Sequence, residues 1–154
     1  MTDKGVDRRR IVVGVDESEE SRHALRWAAG LANWAVAELD VVSAWHLPVG
    51  YGWGAVPLEW SPTEDLEKRL DVFVDETLGA DRPADLKIVV REAIAAELLI
   101  EQSKGALMVV VGSRGRGAFT GLLLGSVSAK VAEHATCPVV VVHGDQAVPS
   151  VTAR

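Results

Sequence analysis

The residues of this chain best suited to chemistry are three glycines and a serine in its last third. Gly112 and Gly115 follow an apolar run, and Gly125 precedes Ser126, which begins a helical pattern. A glycine after a buried strand lets the backbone take a positive φ and lets an anion approach the amide N–H groups without a Cβ in the way. The Ser126 hydroxyl and the free N–H groups of the first helical turn would face the same point. This arrangement predicts a phosphate-binding loop.

Two common phosphate-binding motifs do not fit this loop. A P-loop needs a lysine directly before its final serine or threonine, and Gly125 stands there instead. The dinucleotide fingerprint fails because Gly115 and Gly117 are followed by a glycine at 121 rather than at 120. The alternative that these glycines supply only turn chemistry stays open.

The composition is that of a globular domain. The chain has 154 residues, of which 48% are hydrophobic and 25% charged, enough for one buried core. A net charge of −6, with basic residues clustered only at Arg8, Arg9 and Arg10, argues against nucleic acid as a partner. We expect those arginines to solvate the start of the first strand. The apolar run at residues 11–13 is too short for a signal peptide or a membrane span.

Apolar runs and helical patterns alternate along the chain, which predicts an α/β domain. Strands are expected at residues 10–15, 39–44, 86–90, 106–111 and 139–142, and helices at residues 19–34, 62–78, 95–104 and 126–135. Since the strands are apolar throughout, the sheet should be parallel, with helices on both faces. Ligands of such sheets bind beyond the carboxyl ends of the strands.

The spacing G-x2-G-x9-G-S, from Gly112 to Ser126, resembles the nucleotide-binding signature of the universal stress protein family. The resemblance covers residues 9–143, which we take as the domain, with flexible termini expected at residues 1–8 and 144–154. It implies the strand order 3-2-1-4-5 of a Rossmann-like fold similar to that of the adenine nucleotide alpha hydrolases. That order sets the loop after strand 1 beside the glycine loop. The implied ligand is ATP, or AMP or cyclic AMP, with Mg²⁺ accompanying ATP.

The resemblance also implies roles for individual residues. Asp16 is assigned to the ribose hydroxyls or the base, because a carboxylate accepts hydrogen bonds; the alternative is that it caps the first helix, a role that Ser18 could fill instead. The backbone of Ala44 is placed against the adenine edge. Arg114 and Arg116 each have two alternatives: pairing with phosphates or solvation at the surface. The full predicted set of binding residues is Gly14, Val15, Asp16, Ala44, Val111, Gly112, Arg114, Gly115, Gly125, Ser126, Val127 and Ser128. In this set Val111 packs beneath the adenine ring. Ser128 either makes a second hydroxyl contact with the ligand or is a helix-surface serine.

Other chemistries find little support in the sequence. The four histidines lie in separate elements without metal-ligand spacing, and His46 is the candidate titrating group near the site. No G-x-S-x-G motif is present to supply a hydrolase nucleophile. Cys137 cannot form an internal disulfide and is expected to be a small core residue in a cytoplasmic protein. Trp45, Trp53 and Trp60 bracket a glycine-rich loop that forms either a lid or packing at the sheet edge.

Together these features predict a cytoplasmic, adenine-nucleotide-binding universal stress protein that acts as a stress-response sensor or regulator and is not an enzyme. A slow ATPase or self-phosphorylating enzyme and an interaction module that binds no nucleotide are the alternatives. A homodimer through strand 5 is predicted, because Val139, Val140, Val141 and Val142 include none of the lysines or prolines that protect a sheet edge. The alternative is that the tail after His143 covers this edge.

Overall fold

The chain forms a five-stranded sheet with helices packed on both faces. A computed structural model describes residues 8–47, 59–115 and 123–148. The strands are β1 (Arg10–Gly14), β2 (Glu38–Trp45), β3 (Lys87–Glu92), β4 (Met108–Gly112) and β5 (Val139–Val142). The helices are α1 (Glu19–Ala35), α2 (Pro62–Leu78), α3 (Ala95–Ser103) and α4 (Ser126–His134), with a short 3₁₀ turn (Gly79–Asp81) after α2.

All four strand pairs are parallel, and the order across the sheet is β3-β2-β1-β4-β5. The predicted fold class and the order 3-2-1-4-5 are therefore confirmed. Because the chain returns from β3 across β1 to reach β4, the strand order reverses between β1 and β4. The loops that follow these two strands are consequently neighbours at the switch point where ligands of doubly wound sheets bind.

The core lies in two layers, one on each face of the sheet. Ile11 and Val13 of β1 face the layer covered by α1 and α2, whereas Val12 faces the layer covered by α3 and α4. All three side chains are fully buried. Successive strand residues point to opposite faces, so a strand covered on both sides must be apolar at every position.

The sequence left two candidates for the start of α1 and gave no signal for the residue that ends it. Ser18 is the N-cap, and its Oγ accepts a hydrogen bond from the N–H of Ser21 at 3.2 Å. The alternative that Asp16 caps this helix is therefore wrong. The helix ends with Val36 in the left-handed conformation at φ 51°, where sequence rules favour glycine.

Arg10 is not merely solvated, contrary to our expectation for the amino-terminal arginines. Its guanidinium lies 3.2 Å from the carboxylate of Asp40 and donates to the backbone carbonyls of Gln102 and Lys104 at 2.8 and 3.0 Å. The last carbonyls of a helix have no partner within the helix, so a nearby guanidinium can satisfy them. Arg10 thus fastens the carboxyl end of α3 to β1 and β2.

The described part of the carboxyl-terminal tail, residues 144–148, runs along α1. The indole of Trp27 donates to the carbonyl of Gln146 at 3.0 Å, and Nδ1 of His23 lies 3.5 Å from Asp145. Val148 packs at Gly30, where a Cβ would come within 2.6 Å of its Cγ1. The rest of the termini predicted to be flexible, residues 1–7 and 149–154, lies outside the described residues.

Candidate functional site

A cavity of about 360 Å³ opens at the carboxyl ends of β1, β2 and β4. Its volume lies within the range of small-molecule sites. All twelve residues predicted to bind the ligand line this cavity. The structure therefore brings together residues that lie as far apart in the chain as Gly14 and Ser128, while their contacts with a ligand stay a prediction.

One end of the cavity is the amino terminus of α4. Gly125 is the N-cap, and the first helical hydrogen bond runs from the N–H of Ala129 to the carbonyl of Gly125 at 3.0 Å. The N–H groups of Ser126 and Val127 therefore have no carbonyl acceptor within the helix. The cavity lies against the positive end of this helix dipole, which is a favourable place for an anion.

The amino terminus of α4 differs from those of the two long helices. Both α1 and α2 begin with a serine whose side chain accepts a backbone hydrogen bond, and both carry acidic residues in the first turn. Helix α4 has no side-chain cap and no acidic residue in its first turn. Within the described part of the chain, no side chain caps its first-turn donors.

The two described ends of the glycine loop are tied together by backbone and serine contacts. The N–H of Gly125 donates to the carbonyl of Ser113 at 2.7 Å, and the N–H of Ser113 donates to the carbonyl of Val142 at 2.9 Å. The Ser128 hydroxyl lies 3.0 Å from the Ser113 carbonyl and 3.1 Å from that of Gly125. Ser128 is buried, so the alternative of a helix-surface serine is wrong. Ser113, which the sequence did not single out, anchors the loop.

At Gly14, Gly112 and Gly115 the structure requires close packing rather than a positive φ. Gly125 has φ −67°, and Gly14, Gly112 and Gly115 have no positive φ, so our expectation of left-handed glycine after β4 is wrong for the described glycines. A Cβ at Gly112 would lie 3.0 Å from the backbone of Glu20, and one at Gly14 would lie 2.9 Å from Cδ1 of Leu99. The backbone of α1 therefore crowds Gly112, whereas a side chain at Gly14 would require the Leu99 side chain of α3 to move.

Asp16 lies at the junction of the two loops. Its Oδ1 accepts hydrogen bonds from the backbone N–H of Ser18, at 3.1 Å, and from the Ser18 hydroxyl. Its Oδ2 lies against Gly115, where an added Cβ would overlap it. The carboxylate is thereby held at the cavity wall in a fixed turn, and an acceptor of this kind suits a ligand that offers hydroxyl groups.

The cavity is also lined by residues that sequence reasoning missed, most of them apolar. The additional lining residues are Ser21, Val42, Ser43, Ala95, Leu98, Leu99 and Leu124. Leu98 and Leu99 come from the first turns of α3 and belong to the core beneath it. Their pattern is that of any buried helical face, so the sequence carried no signal that they also border a site.

Two ionisable side chains, Asp16 and Arg114, occur among the described residues that line the cavity. Arg114 is exposed at the rim, whereas Arg116 lies outside the described residues. His46 is exposed and does not line the cavity, which corrects our expectation of a titrating group there. The residues of β2 that line the cavity end at Ala44, and the chain beyond Trp45 carries His46 into solvent.

The tryptophan-bracketed loop lies mostly outside the described residues, as does Trp53. Trp45 packs against the core, and its indole donates to the hydroxyl of Thr63 at 2.9 Å. Trp60 is exposed, and its indole donates to Asp65 at 2.7 Å. For Trp45 this favours packing at the sheet over a lid.

Residues 8–47, 59–115 and 123–148 contain neither a metal-binding cluster nor a membrane-spanning helix. No group of histidine, cysteine, aspartate or glutamate side chains in these ranges could hold a metal ion. No helix in them is long and apolar enough to cross a bilayer.

Comparison with known proteins identifies the family. The model of the universal stress protein family matches residues 7–143. The chain belongs to the universal stress protein family. A universal stress protein of Mycolicibacterium smegmatis is 39% identical over 142 residues, which cover 88% of this chain and 48% of that relative. This universal stress protein chain thus spans about half the length of the curated relatives that it matches.

Solved structures of the family share the fold. A universal stress protein crystallised in complex with cAMP is 25% identical, with a TM-score of 0.64 over 88% of this chain and 97% of that one. The universal stress protein UspA from Lactobacillus plantarum is 22% identical, with a TM-score of 0.69 and the same coverage. At that identity the second likeness concerns the fold alone.

Proposed function

We propose that this universal stress protein domain binds an adenine nucleotide in the cavity and acts as a stress-response sensor or regulator. The observation that carries the proposal is the uncapped, acid-free amino terminus of α4, which opens on a cavity lined by all twelve predicted residues. The related universal stress protein crystallised with cAMP supports an adenine nucleotide as the ligand class.

The geometry suggests how such a ligand lies. Its phosphates take the free N–H groups of α4, where Gly115 and Gly125 present no side chain. The adenine ring packs on Val111 against the backbone of Ala44, and the ribose hydroxyls donate to Asp16. The proposed ligand is ATP, with AMP and cyclic AMP as competitors and Mg²⁺ accompanying ATP.

The proposed role is binding rather than catalysis. Asp16 is an acidic group at the cavity wall, but its Oδ1 already accepts two hydrogen bonds from Ser18, which makes it a poor base for water. Backbone donors that hold ground and transition states equally give no acceleration. We expect ATP turnover far below the ~10 s⁻¹ of typical enzymes. A steady ATPase rate near that value, abolished by Asp16→Ala, would instead establish an enzyme.

The proposal includes a cytoplasmic homodimer formed through β5. In the described part of the chain, β5 is hydrogen-bonded to β4 alone. The described tail contacts α1 at His23 and Trp27 and adds no strand beside β5. A second copy could pair its own β5 with this edge around a two-fold axis.

The deciding experiment is to denature the purified protein and to identify the small molecules it releases by chromatography and absorbance. Adenine nucleotide in near-stoichiometric amount is the expected result. Calorimetric titration of emptied protein with ATP, AMP and cyclic AMP, with and without Mg²⁺, then ranks the ligands. A protein that releases no nucleotide and shows no thermal shift with any of the three at millimolar concentration would refute the proposal.

A further inference from the structure

Glu17, which directly follows Asp16, has a backbone conformation that is unusual for its residue type. Its φ is 64°, in the left-handed region. A residue with a Cβ is strained in this region, whereas glycine adopts it readily. Among the described non-glycine residues, Val36 at the end of α1 is the other with a positive φ. The turn beside the cavity therefore holds Glu17 against its own conformational preference.

The side chain of Glu17 is held by α2. Nε of Arg69 lies 3.2 Å from Oε1 of Glu17, and Nη2 lies 3.1 Å from Oε2, so the guanidinium and carboxylate meet at two points. The Glu17 side chain is 18% exposed and that of Arg69 is 58% exposed. The hydrogen bonds to Glu17 raise the pKa of the Arg69 guanidinium above its ordinary value. Two-point contact fixes direction as well as distance, which a lysine could not do.

Glu17 lies within a turn whose two neighbours have defined tasks. Asp16 lines the cavity, and its Oδ1 accepts from both the N–H and the hydroxyl of Ser18. Ser18 in turn caps α1. A change in the φ of Glu17 would rotate Asp16 relative to Ser18, so the backbone of Glu17 determines where the carboxylate of Asp16 points.

We propose that Arg69 is a positioning residue for nucleotide binding, which holds the strained Glu17 turn in the conformation that presents Asp16 to the cavity. This inference rests on the proposed function of the cavity. Arg69 is not among the residues that line the cavity, so its effect passes through Glu17. Without the ion pair, a smaller fraction of molecules holds the binding-competent turn, and the apparent affinity falls by that fraction.

The first test compares two cations on the same turn of α2. Arg69→Ala is expected to weaken ATP binding about two- to fivefold, which is the range of an exposed ion pair, measured by calorimetry. Lys68→Ala removes the same charge from the adjacent exposed position and should leave the dissociation constant unchanged. Wild-type affinity in Arg69→Ala, or an equal loss in Lys68→Ala, would overturn the proposal.

The second test removes the strain and the partner of Arg69 together. Glycine accepts a φ of 64° without penalty and lacks the carboxylate that Arg69 contacts, so in a Glu17→Gly background Arg69→Ala should change ATP affinity by less than its effect in the wild type. The four proteins form a double-mutant cycle. An undiminished loss in the glycine background would show that Arg69 attracts the anionic ligand directly, and the proposal would be wrong.

A third measurement works without nucleotide and separates this proposal from the proposed function. The N–H of Ser18 donates to Oδ1 of Asp16 in this turn, so opening of the turn would expose that N–H to water. Its hydrogen exchange, followed by NMR in ligand-free protein, should be faster in Arg69→Ala than in the wild type or Lys68→Ala. Unchanged exchange would overturn the positioning role. Absence of ATP binding in wild-type protein, with exchange accelerated as expected, would refute the nucleotide proposal alone.

Discussion

Gly115 lies so close to the carboxylate of Asp16 that a Cβ on the glycine would overlap Oδ2. The contact joins the loop after β1 to the loop after β4, across the point where the strand order reverses. Gly125 differs, because a Cβ there would make ordinary contacts, the nearest at 3.4 Å to Cα of Arg114. Substitution at 115 should therefore displace the carboxylate of Asp16. Substitution at 125, which lines the cavity, should act mainly on ligand binding.

Gly125→Ala is the sharper test of the phosphate site. The free energy of unfolding should fall by no more than about 1 kcal/mol, the usual effect at a helix N-cap. Binding of ATP should weaken by more than about fivefold, because the methyl group narrows the approach to the N–H groups of α4. Calorimetry and chemical denaturation measure the two effects. Gly115→Ala should lower both stability and affinity. If folded Gly125→Ala binds ATP like the wild type, the loop is only a turn.

Ser126 and Ser128 form a matched pair on α4. Ser128→Ala removes the buried hydroxyl that lies near the carbonyls of Ser113 and Gly125, and it should destabilise the fold by about 1–2 kcal/mol. Ser126 is exposed at the cavity, so Ser126→Ala should leave the thermal midpoint unchanged and weaken ATP binding only a few-fold. Stability lost in Ser126→Ala and retained in Ser128→Ala would contradict this assignment of a binding role to Ser126 and a structural role to Ser128.

Much of the fold could be predicted because buried parallel strands must be apolar at every position. The runs that became β1 and β5 therefore stood out in the sequence, and Ser61 and Pro62 marked the start of α2 as expected. The ends of helices were harder to predict from the sequence. Val36 ends α1 in a conformation that its residue type disfavours, so no local signal predicted it.

The predicted site residues line one cavity because the motif lies on the two loops that the sheet order makes adjacent. What the sequence did not reveal were contacts between distant segments. Arg10 reaches carbonyls more than ninety residues away, and Arg69 reaches Glu17 across 52 residues. Such pairs depend on how the helices pack on the sheet, and residue types alone do not specify which residues pair.

The edge of β5 allows a test with two proline variants that differ only in whether the lost N–H faces the free edge or β4. The carbonyls of Pro138 and Val142 accept hydrogen bonds from the β4 side. Since backbone groups alternate along a strand, those of Val140 face β4 as well, and those of Val141 face the free edge. Val141→Pro should therefore keep the fold and give a monomer in light scattering, whereas Val140→Pro should destabilise the sheet. A wild-type monomer at tens of micromolar would contradict the dimer.

Burial raises the pKa of the Cys137 thiol, and the side chain is half-buried beside β5. A higher pKa means a smaller thiolate fraction, and the thiolate is the reactive form. At pH 8 we expect Cys137 of folded protein to react with iodoacetamide more slowly than the same cysteine in denaturant. Equal rates in the two states would contradict this effect of burial. The Cys137→Ser variant supplies the background rate.

The contacts of residues 145–148 with α1 place this part of the tail along the helix, on a path that leads away from the cavity. Residues 145, 146 and 148 meet His23, Trp27 and Gly30 in turn, so the tail descends α1 one helical turn at a time. Helix α1 itself starts beside the cavity and ends near the beginning of β2. A fluorophore attached after Val148 would therefore start at the end of the molecule away from the cavity, and it could report on the protein without obstructing the entry of the proposed ligand.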